Sequence, residues 1–511
     1  MDFKSLLLVF FVIFCVWLVL DHIPIFQGNK KPLPPGPKGL PLIGNLHQQS
    51  WTAPWKTYQK WHKQYGPIVS FKCGPYQIMS LGNHEVARDL LEKRGAIYSS
   101  RPKSIWSEYK AKGLLPFFQS YVAEWKTIHK MQARLLTPRM IQSYTPILDI
   151  ESKHLLMDML LPQELTGIFD RYAFSTASAL LTGERIHTAI EVSFHEMRNI
   201  IDEAFSQLHL SFLLTDNIPG ARCLSTLISK CRTSGKPFFD RILHIFNRVF
   251  DSANARETWN WTRSMMNNRD SNSLSWEQRC FGLGELWVGV SVTTSVALLV
   301  FTQLSILSPQ KYLNLQEEID SFVKADRIPS ASDLDKMVYL KAFVSEMLRM
   351  ESFVPLGFMR VVDQDDEYMG YRIPKGTIIF PNTWCLDHDE SLFPHPEDFV
   401  PERWLGNPDL PLAAFGFGRR ICPGRHLAYR SLHLTIARIV WGYDLVPPQK
   451  ATPASKYEGF FLSTDGFTGV FKPRSEQHKA LIEKEWKSAA ENEDVITSMV
   501  PSGEMSPLNI S

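Results

Sequence analysis

A lone cysteine stands between a loop rich in glycine and arginine and a long apolar-periodic run, in Phe415-Gly416-Phe417-Gly418-Arg419-Arg420-Ile421-Cys422-Pro423-Gly424. The run that follows, through Leu427, Ala428, Leu432, Leu434, Ala437, Ile439 and Val440, has the spacing of a helix. Proline needs no N–H partner in a first helical turn and already has a helical φ. The spacing therefore predicts a helix opening at Pro423 and Gly424, with Cys422 where an N-cap would stand. The positive end of a helix dipole lowers a thiol pKa and favours the thiolate. Glycines on either side let the backbone approach a flat partner closely.

A thiolate held in this way suits one axial position of a haem iron, and Arg420 suits a haem propionate. An isolated cysteine at a helix start is more often a packing residue, so the surrounding pattern has to decide. F-x-x-G-x-R-x-C-x-G is matched at every fixed position, by Phe415, Gly418, Arg420, Cys422 and Gly424. It resembles the haem-binding loop of the cytochrome P450 family. The resemblance implies a mainly α-helical haem-thiolate fold with small β-sheet regions. It also implies a haem b whose iron is ligated by Cys422, with Phe415, Arg420 and Gly424 as cofactor-binding residues.

Length alone would allow several domains, and composition fits a globular protein. Of 511 residues 44% are hydrophobic, ample for a large core. The 55 basic and 53 acidic residues leave a net charge of +2, which gives no footprint for nucleic acid. The seven cysteines are odd in number and scattered, with no C-x-x-C or Cys/His zinc spacing, so neither a disulfide framework nor a zinc site is indicated.

Ser5 to Leu20 carries no charge, and apolar character continues to Phe26. This is slightly short of the ~20 residues of a spanning helix, but flanking residues that snorkel extend it. A cleaved signal peptide is the rival reading. No small-residue cleavage site follows, and Lys30, Lys31 and Lys38 lie on the C-terminal side, which by the positive-inside rule keeps the body cytosolic. Residues 1–26 are thus expected to be an N-terminal transmembrane helix. Residues 27–46, with Pro32-Leu33-Pro34-Pro35-Gly36-Pro37, are expected to be a stiff extended spacer; this is similar to the proline-rich hinge of microsomal P450 proteins. Residues 47–475 form the haem domain, and 476–511 a flexible or peripheral tail with one charged helical stretch. The layout implies a single-pass protein of the endoplasmic reticulum membrane with its catalytic domain in the cytosol.

Further motifs fall in the family's order. Trp125 and His129 lie one turn apart, similar to a W-x-x-x-R element whose side chains approach the haem propionates, with histidine where arginine usually stands. Without the cysteine loop they would read as a core tryptophan and a surface histidine. Leu283–Leu299 is apolar nearly all round and belongs in a core or a membrane; Glu285 and the hydroxyl cluster favour the core. Against the family's A/G-G-x-D/E-T-T/S, Thr293 takes the place of the oxygen-activating threonine, Val292 replaces the acid and Val290 the glycine. Val292 cannot relay a proton; Ser291, Thr294 or a substrate hydroxyl are the alternatives. Glu346 and Arg349 share one face of an apolar helix, and Pro401-Glu402-Arg403-Trp404 resembles the element that supplies a second arginine. Glu346, Arg349 and Arg403 would be the family's structural triad.

The reaction implied is oxidation of an apolar small molecule with O2 and electrons from NADPH through a separate flavoprotein, NADPH-cytochrome P450 reductase, because no G-x-G-x-x-G unit is present. Arg419, Arg425 and His426, with Lys126 and Lys130, would give that partner a basic face. The wording of FGFGRRICPGRHLA and PERWLG is most similar to fungal enzymes of secondary metabolism. The missing distal acid keeps a second reading open: a reductase-independent rearrangement or dehydration, or an oxidative coupling.

Overall fold

The computed structural model describes residues 31–161, 164–206, 226–446, 456–458, 461–463 and 469–500. The expected membrane anchor, residues 27–30 of the hinge, the pairs Pro219-Gly220 and Gly466-Phe467, and the end of the tail lie outside them.

The fold is mainly α-helical, and eleven of its helices matter for the site. These are α1 (Pro54–Tyr65), α2 (Ala123–Leu135), α3 (Thr145–Asp158), α4 (Leu165–Thr182), α5 (Thr226–Ala255), α6 (Trp276–Leu307), α7 (Pro309–Phe322), α8 (Val338–Met350), α9 (Glu402–Gly406), α10 (Arg425–Gly442) and α11 (Glu476–Glu491). Four strands, β1 (Ile68–Cys73), β2 (Tyr76–Leu81), β3 (Arg360–Val361) and β4 (Ile378–Phe380), make a mixed sheet in the order β1-β2-β4-β3. β1 and β2 form an antiparallel hairpin, and β4 lies parallel to β2 with Ile379 opposite Met79.

α6 is the spine. Ser275 and Gln278 close a reciprocal capping box at its start, satisfying two N–H groups that a helix otherwise leaves orphaned. Its apolar side chains point in every direction, so it can be stable in water only when wrapped by other elements. α4 packs along it, and α2, α8 and α10 complete the wall; Phe301, Leu298 and Leu299 are buried at the centre of the main core. Although α6 is long and apolar enough to cross a membrane, it is a core helix. Polar groups between it and α4 are paired: Trp287 Nε1 donates to Ser178 Oγ (3.3 Å), and Ser295 Oγ donates to Asp170 Oδ1 (2.5 Å).

Two departures from the sequence reading have physical causes. The helix behind the cysteine starts at Arg425 with Gly424 as its N-cap, two residues later than Pro423 suggests. The second concerns the tail, expected to be flexible or peripheral from residue 476. α11 instead docks on α3: Ile482 is buried, Trp486 stacks on His154 with ring centroids 4.1 Å apart, and Lys153 pairs with Glu485 at 3.0 Å. The charges of this helix, Glu476, Lys479, Glu483, Lys484, Glu485, Lys487 and Glu491, hid the narrow apolar stripe that makes this contact.

Residues 31–39 run without regular secondary structure beside the sheet, and the chain then turns between Leu40 and Gly44. The Ser70 N–H donates to the Pro35 carbonyl (3.0 Å), and a Cβ on Gly36 would lie 1.8 Å from the Ser70 oxygen. The prolines stiffen this segment and the glycine lets it lie flat on β1.

Candidate functional site

The cysteine loop is fixed by its own backbone. The Cys422 N–H donates to the Phe415 carbonyl (2.8 Å) and the Ile421 N–H to Gly418 (2.9 Å), which closes the loop through a short 3-10 turn at Gly418–Arg420. Gly418 has φ +55°, and a Cβ there would sit 2.1 Å from the Leu91 carbonyl oxygen. No other residue allows that approach. The Phe415 ring packs against Tyr429 of α10, centroids 5.2 Å apart.

Cys422 lies deep in the molecule, yet part of the residue's surface stays open. Burial pushes its thiol up, opposed by the Gly424 and Arg425 amides and by the Arg425 charge. The sequence expectation was the opposite direction. The helix amides do face the sulfur, but losing water around a thiolate outweighs them.

Arg420 lies beside the loop and makes three bonds to carbonyls: Nε to Ser99 (2.8 Å), Nη2 to Gln119 (2.7 Å) and Nη1 to Pro116 (3.4 Å). Its guanidinium lies 3.6 Å from the centroid of the Trp125 ring, and the His129 ring meets Trp125 edge-on at 4.7 Å. The structure therefore brings Trp125, His129 and Arg420 together. Two more arginines join them. Arg101 donates to the Phe117, Phe358 and Met359 carbonyls, and Arg360 to the Phe417 and Tyr98 carbonyls, while the Arg360 Nε is buried with no partner.

These guanidiniums are electrostatically uncomfortable. Burial and mutual repulsion lower Arg420 to about 8; burial and Arg101 lower Arg360 to about 9; burial lowers Arg101 to about 10. Burial first, and Arg420 second, lower His129 to about 4. Arg101 was not legible as a site residue, because it sits in a short loop with no periodicity. The one hint was that no acid stands between Glu92 and Glu108 to pair with it.

On α6, Thr293 is half-buried and its hydroxyl donates back to the Gly289 carbonyl (2.6 Å). Gly289 is exposed in mid-helix, and a Cβ there would meet nothing within 4 Å. Val290 and Val292 are partly buried against the core. The Ser291 hydroxyl is buried and bonded to the Trp287 carbonyl (2.9 Å), so it does not serve the open face.

Behind the loop, Glu346 and Arg349 are fully buried and doubly bonded (2.8 and 2.9 Å), and Arg403 Nε donates to the same carboxylate at 2.9 Å. The Trp404 Nε1 and the Val400 N–H add bonds of 2.8 and 3.0 Å. Trp404 is a partner that the arginine motif did not reveal. Arg349 also donates to the Asp387 and Pro396 carbonyls, so α8 is tied to the segment leading to α9.

Three buried cations need an anionic partner. Of the carboxylates in the described residues, Glu285 is the one that reaches both Arg101 and Arg420. A flat dianion whose centre also met the cysteine sulfur would answer that need, and haem, with two propionates and an iron, has that form. The donor set fits the group: a haem-thiolate enzyme is the class that this fold and site define.

Comparison with known proteins agrees. The family model described as Cytochrome P450 matches residues 34–468. The chain is 36% identical over 474 residues to cytochrome P450 monooxygenase criE of Aspergillus cristatus, covering 90% of this chain and 88% of that one. It is 34% identical over 495 residues to cytochrome P450 monooxygenase peniB of Penicillium patulum, covering 94% and 92%. To the echilunin cytochrome P450 monooxygenase of Aspergillus ruber it is 36% identical over 472 residues, covering 90% and 88%. This chain belongs to the cytochrome P450 family and is an enzyme of its monooxygenase type.

Proposed function

We propose that the chain oxidises an apolar small molecule by hydroxylation, epoxidation or further oxidation, using O2 and electrons passed from NADPH by a separate reductase, in fungal secondary metabolism. The observation that carries this reading is the cluster of Arg101, Arg360 and Arg420 beside the Cys422 loop, short of anions and open to a dianionic ring. Haem bound there would supply O2 binding and O–O cleavage, and the Cys422 thiolate would hold its iron. Arg420, Arg360 and Arg101 would hold the propionates, and Trp125 would fix the orientation of the planar Arg420 guanidinium by stacking. His129, held neutral by burial, would donate one hydrogen bond and no permanent charge. Val288, Val290, Val292 and Val296 on α6 are only partly buried against the core, and apolar side chains there suit an apolar substrate.

Arg419, Lys126 and the ring of Tyr121 form an exposed basic patch near the loop, with Arg419 donating to Tyr121 Oη at 2.9 Å and Lys126 above the ring. This supports an acidic reductase as partner. The charge-free segment 5–20 supports a single-pass anchor in the endoplasmic reticulum membrane, with the catalytic domain in the cytosol.

The deciding experiment pairs the membrane fraction containing this enzyme with a reductase and profiles metabolites with and without NADPH. Product formation that requires NADPH is expected; turnover at an unchanged rate without it would sink the oxygenase reading in favour of a rearrangement or dehydration, which Val292 in place of an acid keeps in play. Cys422→Ala is expected to abolish the thiolate-type absorption band of the reduced carbon monoxide complex, and a persisting band would remove Cys422 as ligand.

A further inference from the structure

Oxygen cleavage needs a proton source, and position 292, where an acid is expected, holds valine. Glu285 lies two turns earlier on α6. With Gly289 and Thr293 it forms an i, i+4, i+8 stripe, so all three share one face of the helix. The carboxyl is deep inside the molecule but its residue surface is partly open. One oxygen, Oε2, accepts from Gln132 Nε2 at 2.7 Å, which fixes the group's orientation. Among the described residues Oε1 has no hydrogen-bond partner. Between the carboxyl and Thr293 stands Gly289, whose missing side chain leaves open space along the stripe. Eight residues of helix rise about 12 Å, a distance that a few hydrogen-bonded waters span.

We propose that Glu285 is the proton donor of the distal face, passing protons through water in the Gly289 gap to the Thr293 hydroxyl and so doing the work of the acid absent at position 292. The inference rests on the oxygen-dependent reading above. Its balance is simple: each O2 cleaved takes two electrons from the reductase and two protons to release one oxygen as water, and the carboxyl passes those protons in succession, regaining one from bulk water after each, so it ends the cycle as it began.

The surroundings suit a carboxyl that keeps a proton. Burial pushes Glu285 up, against the Gln132 hydrogen bond and the charges of Arg420 and Arg101. Those two guanidiniums, with Cys422, are the titratable groups close enough to feel it. Propionates that neutralise the arginines would remove the opposing charge and leave burial to dominate. Of the neighbouring hydroxyls, Ser291 is committed to Trp287 and Ser295 to Asp170.

The test uses the haem-loaded full chain and peroxyphenylacetic acid, a peracid that needs neither reductase nor the natural substrate. Proton-assisted heterolysis yields phenylacetic acid, whereas homolysis loses carbon dioxide and yields benzyl alcohol. Glu285→Gln is expected to lower the ratio of phenylacetic acid to benzyl alcohol at least about tenfold, since a positioned acid contributes on the order of a hundredfold or more. Gly289→Leu, which fills the gap and keeps the acid, should lower it likewise. Adding Val292→Asp to Glu285→Gln should restore the ratio. A separate readout is the infrared band of a protonated carboxyl, present in wild type, shifted in deuterium oxide and lost in Glu285→Gln. An unchanged ratio in both single variants would overturn the proposal. A changed ratio that Val292→Asp fails to rescue would also overturn it, leaving Glu285 only as a counter-charge to Arg101 and Arg420. Because the peracid bypasses the reductase, failure here and failure of the NADPH-dependent reading are separate results.

Discussion

Two buried charge clusters flank the cysteine loop, and they are built on opposite terms. Around Glu346, each charge meets a partner: the carboxylate takes bonds from Arg349, Arg403, Trp404 and Val400, and the arginines spend their remaining N–H groups on carbonyls. Around Arg420, three guanidiniums lean on carbonyl dipoles and repel one another. A closed cluster holds the fold in one arrangement. An open one of a single sign stores a demand for a ligand of the other sign. The difference between structural and functional charge is thus readable from whether the local charges balance.

The comparison breaks most visibly at Glu346. Glu346→Ala would strand two buried arginines, a loss of about 3–5 kcal/mol; urea unfolding followed by circular dichroism should show it whether or not haem is present, and a midpoint within error of wild type would contradict the closed-cluster account.

The open cluster should be more sensitive to acid. Because burial and Arg420 lower His129 to about 4 from an ordinary 6.5, the unfolded chain binds more protons between those values. The stability that His129 contributes is complete above about pH 6.5 and is lost as pH falls toward 4, by up to about 1.4 kcal/mol per unit and about 3 kcal/mol in all. His129→Gln should flatten that part of the thermal-midpoint profile; a slope identical to wild type would place the acid sensitivity elsewhere.

Arg420→Ala sharpens the contrast. Losing a charge-assisted bond worth about 1.5–3 kcal/mol should speed haem transfer to a scavenger such as apomyoglobin by about 10- to 100-fold, without the loss of helix signal expected for Glu346→Ala. Equal haem retention would mean that Arg420 does not hold the propionates.

Trp404→Phe makes the smallest change. It removes one bond to Glu346 Oε2, which Arg349 still holds, so a loss of about 1.5 kcal/mol is expected from the urea midpoint; a loss as large as that of Glu346→Ala would show that the indole carries the cluster.

Much of this architecture was legible because it is written locally. Period and punctuation marked α6, α8 and α10, and fixed spacing marked Cys422, Arg420, Glu346, Arg349 and Arg403. What stayed hidden depends on contacts between distant segments. Arg101 and Trp404 meet their partners through tertiary packing, which leaves no trace in their own neighbourhoods. At the Cys422 thiol the helix amides act as the sequence suggests, while the opposing burial is invisible in a sequence. The same holds for α11, whose charges suggest exposure until α3 supplies a surface for Ile482 and Trp486.

The seating of Gly418 against Leu91 has a kinetic side. That contact, like the bond from Arg420 to Ser99 between residues 321 apart, joins the two ends of the chain and cannot form until most of the intervening helices have condensed. Contacts of such long sequence separation carry their loop-closure entropy before returning any stability, and they slow folding. The cysteine loop should therefore be among the last parts to become native, so that the chain can capture its cofactor only when folding is nearly finished.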